Sequence, residues 1–243
     1  MDVMKMIGLI GGMSWESSAH YYRLVNERVR ALRGGLHSAR SLLVSVDFEP
    51  IERMQAEGRW GDAGRELAGA ARSLERGGAE LIVLCTNTMH KVAEAVAGAV
   101  QVPFLHIADA TALAIKETAA RRVGLLGTRF TMEEDFYVSR LERVADAEVI
   151  VPDASARATV HRVIYEELCV GRVLDASREA YLRIIEELIG RGAQGIVLGC
   201  TEIMLLADRW KLGVPLFDTT TLHAHAAVDY ALGKSALPML AER

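Results

Sequence analysis

Residues 78–88 of the chain read GAELIVLCTNT, and residues 192–202 read GAQGIVLGCTE. The two stretches align without a gap and agree at their Gly, Ala, Ile, Val and Leu positions. Each begins with a glycine, continues as an apolar run and ends in small hydrogen-bonding side chains. This pattern predicts a buried parallel strand that delivers polar groups to its carboxyl end. Because ligands of open α/β sheets bind at that end, the two copies predict two halves of one site.

Two further pairs of segments repeat in the same order along the chain. Residues 122–128 (RVGLLGT) resemble residues 6–12 (MIGLIGG), and residues 214–217 (VPLF) resemble residues 102–105 (VPFL). Three matching pairs indicate an internal duplication. Strands that alternate with helices predict parallel sheets, so we expect two similar α/β domains that face each other across a cleft.

The domain boundaries are expected where the repeats end, near Pro103 and Pro215. The first domain would then comprise residues 1–103 and 216–243, with the last helix returning to it. The second domain would comprise residues 104–215.

The composition of the chain argues against some classes of binding partner and predicts the cellular compartment of the protein. The 243 residues carry a formal net charge of −4 and no Lys/Arg-rich block, which argues against nucleic-acid binding. The apolar start at residues 6–10 is too short to span a bilayer and lacks the form of a secretory signal. Three widely spaced cysteines, Cys85, Cys169 and Cys200, predict reduced thiols in the cytoplasm. No cysteine or histidine spacing predicts a metal site.

Cys200 is the strongest candidate for chemistry. It follows a predicted strand and precedes Thr201 and Glu202 at a predicted helix start. A helix amino terminus lowers the pKa of a thiol and makes it a usable acid, base or nucleophile. The alternative is a small buried core residue, since unpaired cysteines are often buried. The second copy of the motif favours catalysis.

The gapless alignment places Thr86, and not Cys85, opposite Cys200. Side chains alternate faces along a strand, so Cys85 and Thr86 are expected to point in different directions. Thr86 is therefore the predicted partner of Cys200, and Cys85 remains the alternative. Thr86, Asn87 and Thr88 would also suit a helix cap, which is compatible with substrate binding.

Other polar residues carry weaker signals. The glycines of residues 8–12 lack the GxGxxG spacing of a dinucleotide site and would equally serve a tight turn. Arg53 and Arg162 are candidate anion clamps, although such residues usually lie at the surface. Asp47, Glu202 and Asp218 near strand ends are interpreted as caps or exposed residues.

Three motifs together resemble the aspartate/glutamate racemase family: MIGLIGGMSWES at 6–17, CTNTMH at 85–90 and LGCTE at 198–202. The resemblance covers nearly the whole chain and is closest to the bacterial racemases with broad specificity or L-aspartate/glutamate specificity. It implies two Rossmann-like domains related by a pseudo-twofold axis, each a mainly parallel sheet flanked by helices, with the active site in the cleft between them. It also implies a homodimeric isomerase that uses neither pyridoxal phosphate nor another cofactor.

The resemblance also assigns roles to residues. Most of the family has a cysteine directly before the first Asn-Thr, where this chain has Thr86, so the implied acid/base pair is the asymmetric Thr86/Cys200. Arg162 would bind the side-chain carboxylate of the substrate, and Arg53 would act similarly. The residues that would hold its α-amino and α-carboxylate groups are Met13, Asn87, Thr88, Thr128 and Thr201.

The expected function is therefore racemisation of aspartate or glutamate, or a broader set of amino acids, by proton removal and return at Cα. Two alternatives remain open at this point. One is a maleate isomerase or decarboxylase-like enzyme of the same fold. The other is a non-catalytic module that binds a small anion or a nucleotide.

Overall fold

Two four-stranded parallel sheets form the framework of the computed structural model, which describes residues 3–207 and 210–236. The chain divides into two units. Unit 1 contains the described residues up to Ile107 and from His223 onward, and unit 2 extends from Ala108 to Leu222.

Unit 1 alternates strands and helices along the chain. Its strands are β1 (Ile7–Gly11), β2 (Ser41–Ser45), β3 (Leu81–Leu84) and β4 (Phe104–Leu105). Its first four helices are α1 (Trp15–Arg33), α2 (Phe48–Ala56), α3 (Trp60–Arg76) and α4 (Ala93–Ala97), and a 3-10 turn covers Thr88–Val92.

Unit 2 repeats this alternation. Its strands are β5 (Arg122–Gly127), β6 (Glu148–Ile150), β7 (Ile196–Gly199) and β8 (Leu216–Asp218). Its helices are α5 (Ile107–Thr118), α6 (Arg129–Glu133), α7 (Asp135–Ala145), α8 (Ala154–Glu166), α9 (Asp175–Gly190) and α10 (Met204–Ala207). Two 3-10 turns cover Leu168–Val170 and Thr201–Ile203, and the last helix, α11 (Thr219–Ala231), continues into unit 1.

The two sheets have the same topology and register. Their strand orders are β2-β1-β3-β4 and β6-β5-β7-β8, and all pairs are parallel. Gly8 pairs with Ile82 in the first sheet, and Gly124 pairs with Ile196 in the second. These are the positions that the sequence repeat aligns. The predicted α/β class, with parallel sheets flanked by helices, is confirmed.

Alternation along β1 and β3 explains how helices cover both faces of the first sheet. Ile7 and Leu9 pack on the face that meets α1 and α11, whereas Ile10 belongs to the core on the α3 face. Burial on both faces accounts for the unbroken apolar runs in these strands.

The units end a few residues later than the predicted domain boundaries. Ile82 donates its backbone N–H to the carbonyl of Pro103, and Ile196 donates likewise to Pro215. Each proline thus directly precedes the edge strand of its own sheet, because β4 pairs with β3 and β8 pairs with β7. The chain leaves each unit only after that strand, at the start of α5 and in the first turn of α11.

Among residues 3–207 and 210–236, no helix combines the length and apolar character needed to cross a bilayer.

Candidate active site

The first group of predicted site residues lies at the carboxyl end of β3. Thr86, Asn87 and Thr88 follow the strand and are buried. Asn87 occupies the capping position of the following 3-10 turn, but its side chain makes no capping hydrogen bond. Capping by Asn87 therefore does not explain this polar group.

His90 fixes the backbone of this segment. Its Nδ1 lies 2.7 Å from the carbonyl oxygen of Thr86, which can only accept, so Nδ1 carries the proton. The backbone N–H of Ile107 donates to Nε2 at 3.2 Å. Both ring nitrogens thus bind backbone groups, and His90 joins the end of β3 to the first residue of α5.

Cys85 lies in a different environment from Thr86. Its side chain belongs to the apolar core that contains Leu9, Tyr21 and Val83, and it is fully buried. Burial raises the pKa of the Cys85 thiol well above its usual range. Cys85 and Thr86 are the two candidates for the partner of Cys200, and Thr86 is the more polar of them.

The turn after β1 is fixed by side-chain hydrogen bonds. Gly12 donates its backbone N–H to Ser18 Oγ at 2.7 Å, and that hydroxyl donates to the carbonyl of Ser14 at 2.9 Å. Ser14 caps α1 by accepting from the backbone of Ser17, and Met13 is buried. Residues 11–14 therefore form a tight turn, in agreement with the interpretation of the glycines in residues 8–12 as part of such a turn.

The second group of predicted site residues lies at the carboxyl end of β7. Cys200, Thr201 and Glu202 follow the strand and are all buried. The Cys200 thiol donates to Glu202 Oε2 at 3.0 Å, and the Thr201 hydroxyl donates to the same oxygen at 2.6 Å. A buried carboxylate thus accepts from both side chains that precede it.

The expectation of a lowered pKa for Cys200 is wrong in this structure. Burial and the negative charge of Glu202 raise the pKa of the Cys200 thiol well above its usual range. The predicted helix start is a three-residue 3-10 turn, Thr201–Ile203, which leads directly into the four-residue α10. The thiol is therefore protonated, and a carboxylate is in position to accept its proton.

Glu202 is a candidate functional residue that the sequence motifs did not single out. The three acids near strand ends were interpreted alike, and two of them are caps: Asp47 accepts from the backbone of α2, and Asp218 accepts from Thr220 N. Glu202 instead binds two side chains. Its position two residues after Cys200 was the available signal, because the turn that follows the strand brings the two side chains within 3.0 Å of each other.

Thr128 lies beside the second group. β5 and β7 end together, with Gly127 paired to Gly199, so Thr128 and Cys200 are the next residues on adjacent strands. Thr128 is buried and caps α6, since its hydroxyl oxygen accepts from the backbone of Thr131.

The two arginines lie in different settings. Arg162, on α8, is half-exposed, and its Nη1 lies 3.1 Å from Glu167 Oε1. The 3-10 turn Leu168–Val170, which follows α8, contacts the 3-10 turn Thr201–Ile203, which follows Cys200, so Arg162 and Cys200 lie in the same region of unit 2. Arg53, on α2, is an exposed surface residue in an ion pair with Glu49. It is not buried, in contrast to Thr86.

Nothing in the described part of the chain arranges three or more His, Cys, Asp or Glu side chains as a metal site.

The chain thus combines a duplicated parallel α/β fold with a buried Cys–Glu pair at the end of one strand. The family model for Asp/Glu/Hydantoin racemase matches residues 10–227. The chain belongs to that family.

Individual relatives agree with this assignment. A candidate Asp/Glu racemase from Yersinia pestis has 55% identity and a TM-score of 0.87, covering 94% of this chain and 100% of that one. PH1733, an aspartate racemase homologue from Pyrococcus horikoshii OT3, has 36% identity and a TM-score of 0.81, with the same two coverages. The broad specificity amino-acid racemase RacX of Bacillus subtilis (strain 168) is 22% identical over 92% of this chain and 97% of its own length.

Proposed function

We propose that the chain is a cofactor-independent amino-acid racemase that acts on aspartate or glutamate, with an asymmetric Thr86/Cys200 acid/base pair. The observation that carries the proposal is the 3.0 Å contact between the Cys200 thiol and the buried Glu202 carboxylate at the end of β7. A thiol next to a buried carboxylate has a proton acceptor, which general-base chemistry requires.

Racemisation needs one group on each face of Cα. In this proposal the polar ends of β3 and β7 act on opposite faces of one carbon atom, with Thr86 from one copy of the motif and Cys200 from the other. Cys200 transfers its proton to Glu202, and the resulting thiolate removes the Cα proton to give a carbanion. The Thr86 hydroxyl then donates a proton to the opposite face.

Proton balance requires two further transfers before the next turnover. Glu202 releases the proton it received, and a water molecule reprotonates Thr86. Threonine is a poor base, so removal of a proton by Thr86 is slower than removal by Cys200. We therefore expect unequal rates with the two enantiomers, while the equilibrium between them stays unchanged.

The other predicted residues are proposed to stabilise the carbanion and to bind the amino-acid substrate. Hydrogen-bond donors directed at the α-carboxylate lower the energy of the charge that develops there. The proposed contacts to the α-amino and α-carboxylate groups come from Met13, Asn87, Thr88, Thr128 and Thr201. Arg162 is proposed to receive the side-chain carboxylate, and Arg53 is a second candidate for that role.

The position of Cys85 supports Thr86 as the first member of the pair. Cys85 packs against Leu9 and Val83 in the apolar core, where a charged thiolate would be costly. Thr86 is the residue that the duplication aligns with Cys200.

The test is Cα proton exchange in heavy water, followed by NMR for each enantiomer of aspartate and glutamate. Cys200→Ala is expected to abolish exchange, and the matched variant Cys85→Ala is expected to keep a substantial rate. Circular dichroism checks that both variants are folded. If folded Cys85→Ala is as inactive as Cys200→Ala, the pair is Cys85/Cys200. Parallel incubation with maleate tests the isomerase alternative.

We also propose that the enzyme is a cytoplasmic homodimer that needs no added cofactor. No disulfide joins Cys85, Cys169 or Cys200, in keeping with a reducing compartment. Light scattering after size-exclusion chromatography measures the oligomeric state, and dialysed protein in the exchange assay tests the need for a cofactor.

A further inference from the structure

Two adjacent carboxylates at the end of α8 contact the same arginine but differ in burial. Glu167 Oε1 lies 3.1 Å from Arg162 Nη1, and Glu166 Oε2 lies 3.7 Å from the same atom. The Glu167 side chain is 8% exposed, whereas that of Glu166 is 67% exposed. Water therefore screens one negative charge far more than the other.

Glu167 is fixed from several sides. The Ser177 hydroxyl, at the first turns of α9, donates to Glu167 Oε2 at 2.5 Å. The Glu167 backbone N–H donates to the carbonyl of Val163, and its carbonyl accepts from the backbone of Arg172. The buried carboxylate is thus held in one place by α8, by α9 and by the loop between them.

The charge of Glu167 also reaches the region of the catalytic thiol. Tyr181 is buried and its hydroxyl donates to the carbonyl of Val160. Burial raises the pKa of Tyr181, the negative charge of Glu167 raises it further, and the positive charge of Arg162 lowers it. The 3-10 turn Leu168–Val170, which directly follows Glu167, also contacts the 3-10 turn Thr201–Ile203, which directly follows Cys200.

We infer that Glu167 is a specificity-determining residue, whose buried carboxylate offsets the charge of Arg162 and so limits the preference for acidic over neutral amino acids. This inference rests on the proposed function, in which Arg162 receives the substrate side chain. Arginine has five N–H donors, so pairing through Nη1 is compatible with a second carboxylate on the same guanidinium.

Aspartate and asparagine isolate the effect of charge, because they have the same shape and differ in one negative charge. Near a half-buried site, Coulomb interactions between unit charges are several times stronger than in water. Removing the negative charge of Glu167 therefore strengthens the net attraction between Arg162 and the side-chain carboxylate of aspartate. The binding of asparagine, which lacks that charge, is little affected.

The experiment compares kcat/KM for aspartate with kcat/KM for asparagine in Glu167→Gln and wild type. Glutamine can still accept from Arg162 and can bond to the Ser177 hydroxyl, so the fold is expected to persist. We expect the aspartate-to-asparagine ratio to rise about tenfold, through a lower KM for aspartate with kcat nearly constant. Glu167→Asp retains the charge and is expected to keep a ratio near that of the wild type.

Glu166→Gln is the matched control, since it makes the same change next to the same arginine at an exposed position. Its ratio is expected to change by less than about twofold. An equal rise in both glutamine variants would overturn the argument from burial. A fall in the ratio for Glu167→Gln would mean that Glu167 orients Arg162, and an equal loss with both substrates would mean a structural role; either result refutes the inference.

Binding measurements separate this inference from the proposed function. Titration calorimetry with aspartate and with asparagine gives the same ratio from dissociation constants, without any turnover. Wild-type protein that binds aspartate but exchanges no Cα proton refutes the racemase proposal, while the calorimetric ratio still tests Glu167. Wild-type exchange with an unchanged ratio in Glu167→Gln refutes the inference alone.

Discussion

We predict that His223 makes the stability of unit 1 depend on pH. Its Nε2 donates to the carbonyl of Leu105 and its Nδ1 accepts from the Tyr21 hydroxyl, each at 3.0 Å. The ring is fully buried, and burial lowers the pKa of His223 to about 4. The neutral ring therefore satisfies both contacts, and protonation would place a donor against the donating hydroxyl of Tyr21.

The sign and size of the effect follow from this shift. An unfolded chain binds a proton at His223 below pH of about 6.5, whereas the folded chain does so only near pH 4. Stability therefore falls as the pH decreases between these values. From about pH 7.5 to about pH 5, the loss from this residue alone is about 2 kcal/mol.

The assay is urea unfolding at both pH values for wild type, His223→Gln and His37→Gln. Glutamine offers a donor and an acceptor but does not titrate. The acid-induced loss in free energy of unfolding should be smaller by about 2 kcal/mol in His223→Gln than in wild type. His37 is exposed, so its variant should behave like wild type. Equal losses in wild type and His223→Gln would refute the reasoning.

Three further single substitutions test tight backbone turns and a buried ion pair, each by thermal and urea denaturation. A Cβ on Gly12, at φ +96°, would lie 2.1 Å from the carbonyl oxygen of Val46, so Gly12→Ala should prevent stable folding. Gly78 has φ +94° and open space around it, and Gly78→Ala should cost only about 1–2 kcal/mol; similar losses at the two sites would contradict this. Arg140 contacts buried Asp109 through two bonds of 2.7 and 2.8 Å, and Arg140→Met should cost about 3 kcal/mol because it leaves a buried charge uncompensated. The double variant Arg140→Met/Asp109→Leu should recover much of that loss, and no recovery would argue against the buried charge as its cause.

The sheets were predictable because a strand buried on both faces leaves a continuous apolar run. The duplication was equally visible, since residues 78–88 and 192–202 keep the same order of glycine, apolar and polar positions. The side-chain alternation that separated Cys85 from Thr86 is a local property of extended backbone, and the structure places Cys85 in the apolar core.

The domain boundaries and the chemistry of Cys200 depend on contacts that local sequence does not specify. A proline before a short apolar run suits both a linker and the start of an edge strand, and only pairing with β3 or β7 distinguishes them. The pKa of Cys200 depends on where the Glu202 carboxylate lies in three dimensions. A predicted helix start at Thr201 gave no information about that position.

The two sheets share a common register, but the segments that follow their strands differ in sequence. The pairs Gly8–Ile82 and Gly124–Ile196 occupy matching places, whereas the residues just beyond the strands differ, with Thr86 in one copy and Cys200 in the other. The paired strands and the proposed acid/base residues therefore occupy separate stretches of chain. Side chains that follow a strand can therefore differ between the two copies while the strand pairing of the two sheets stays the same.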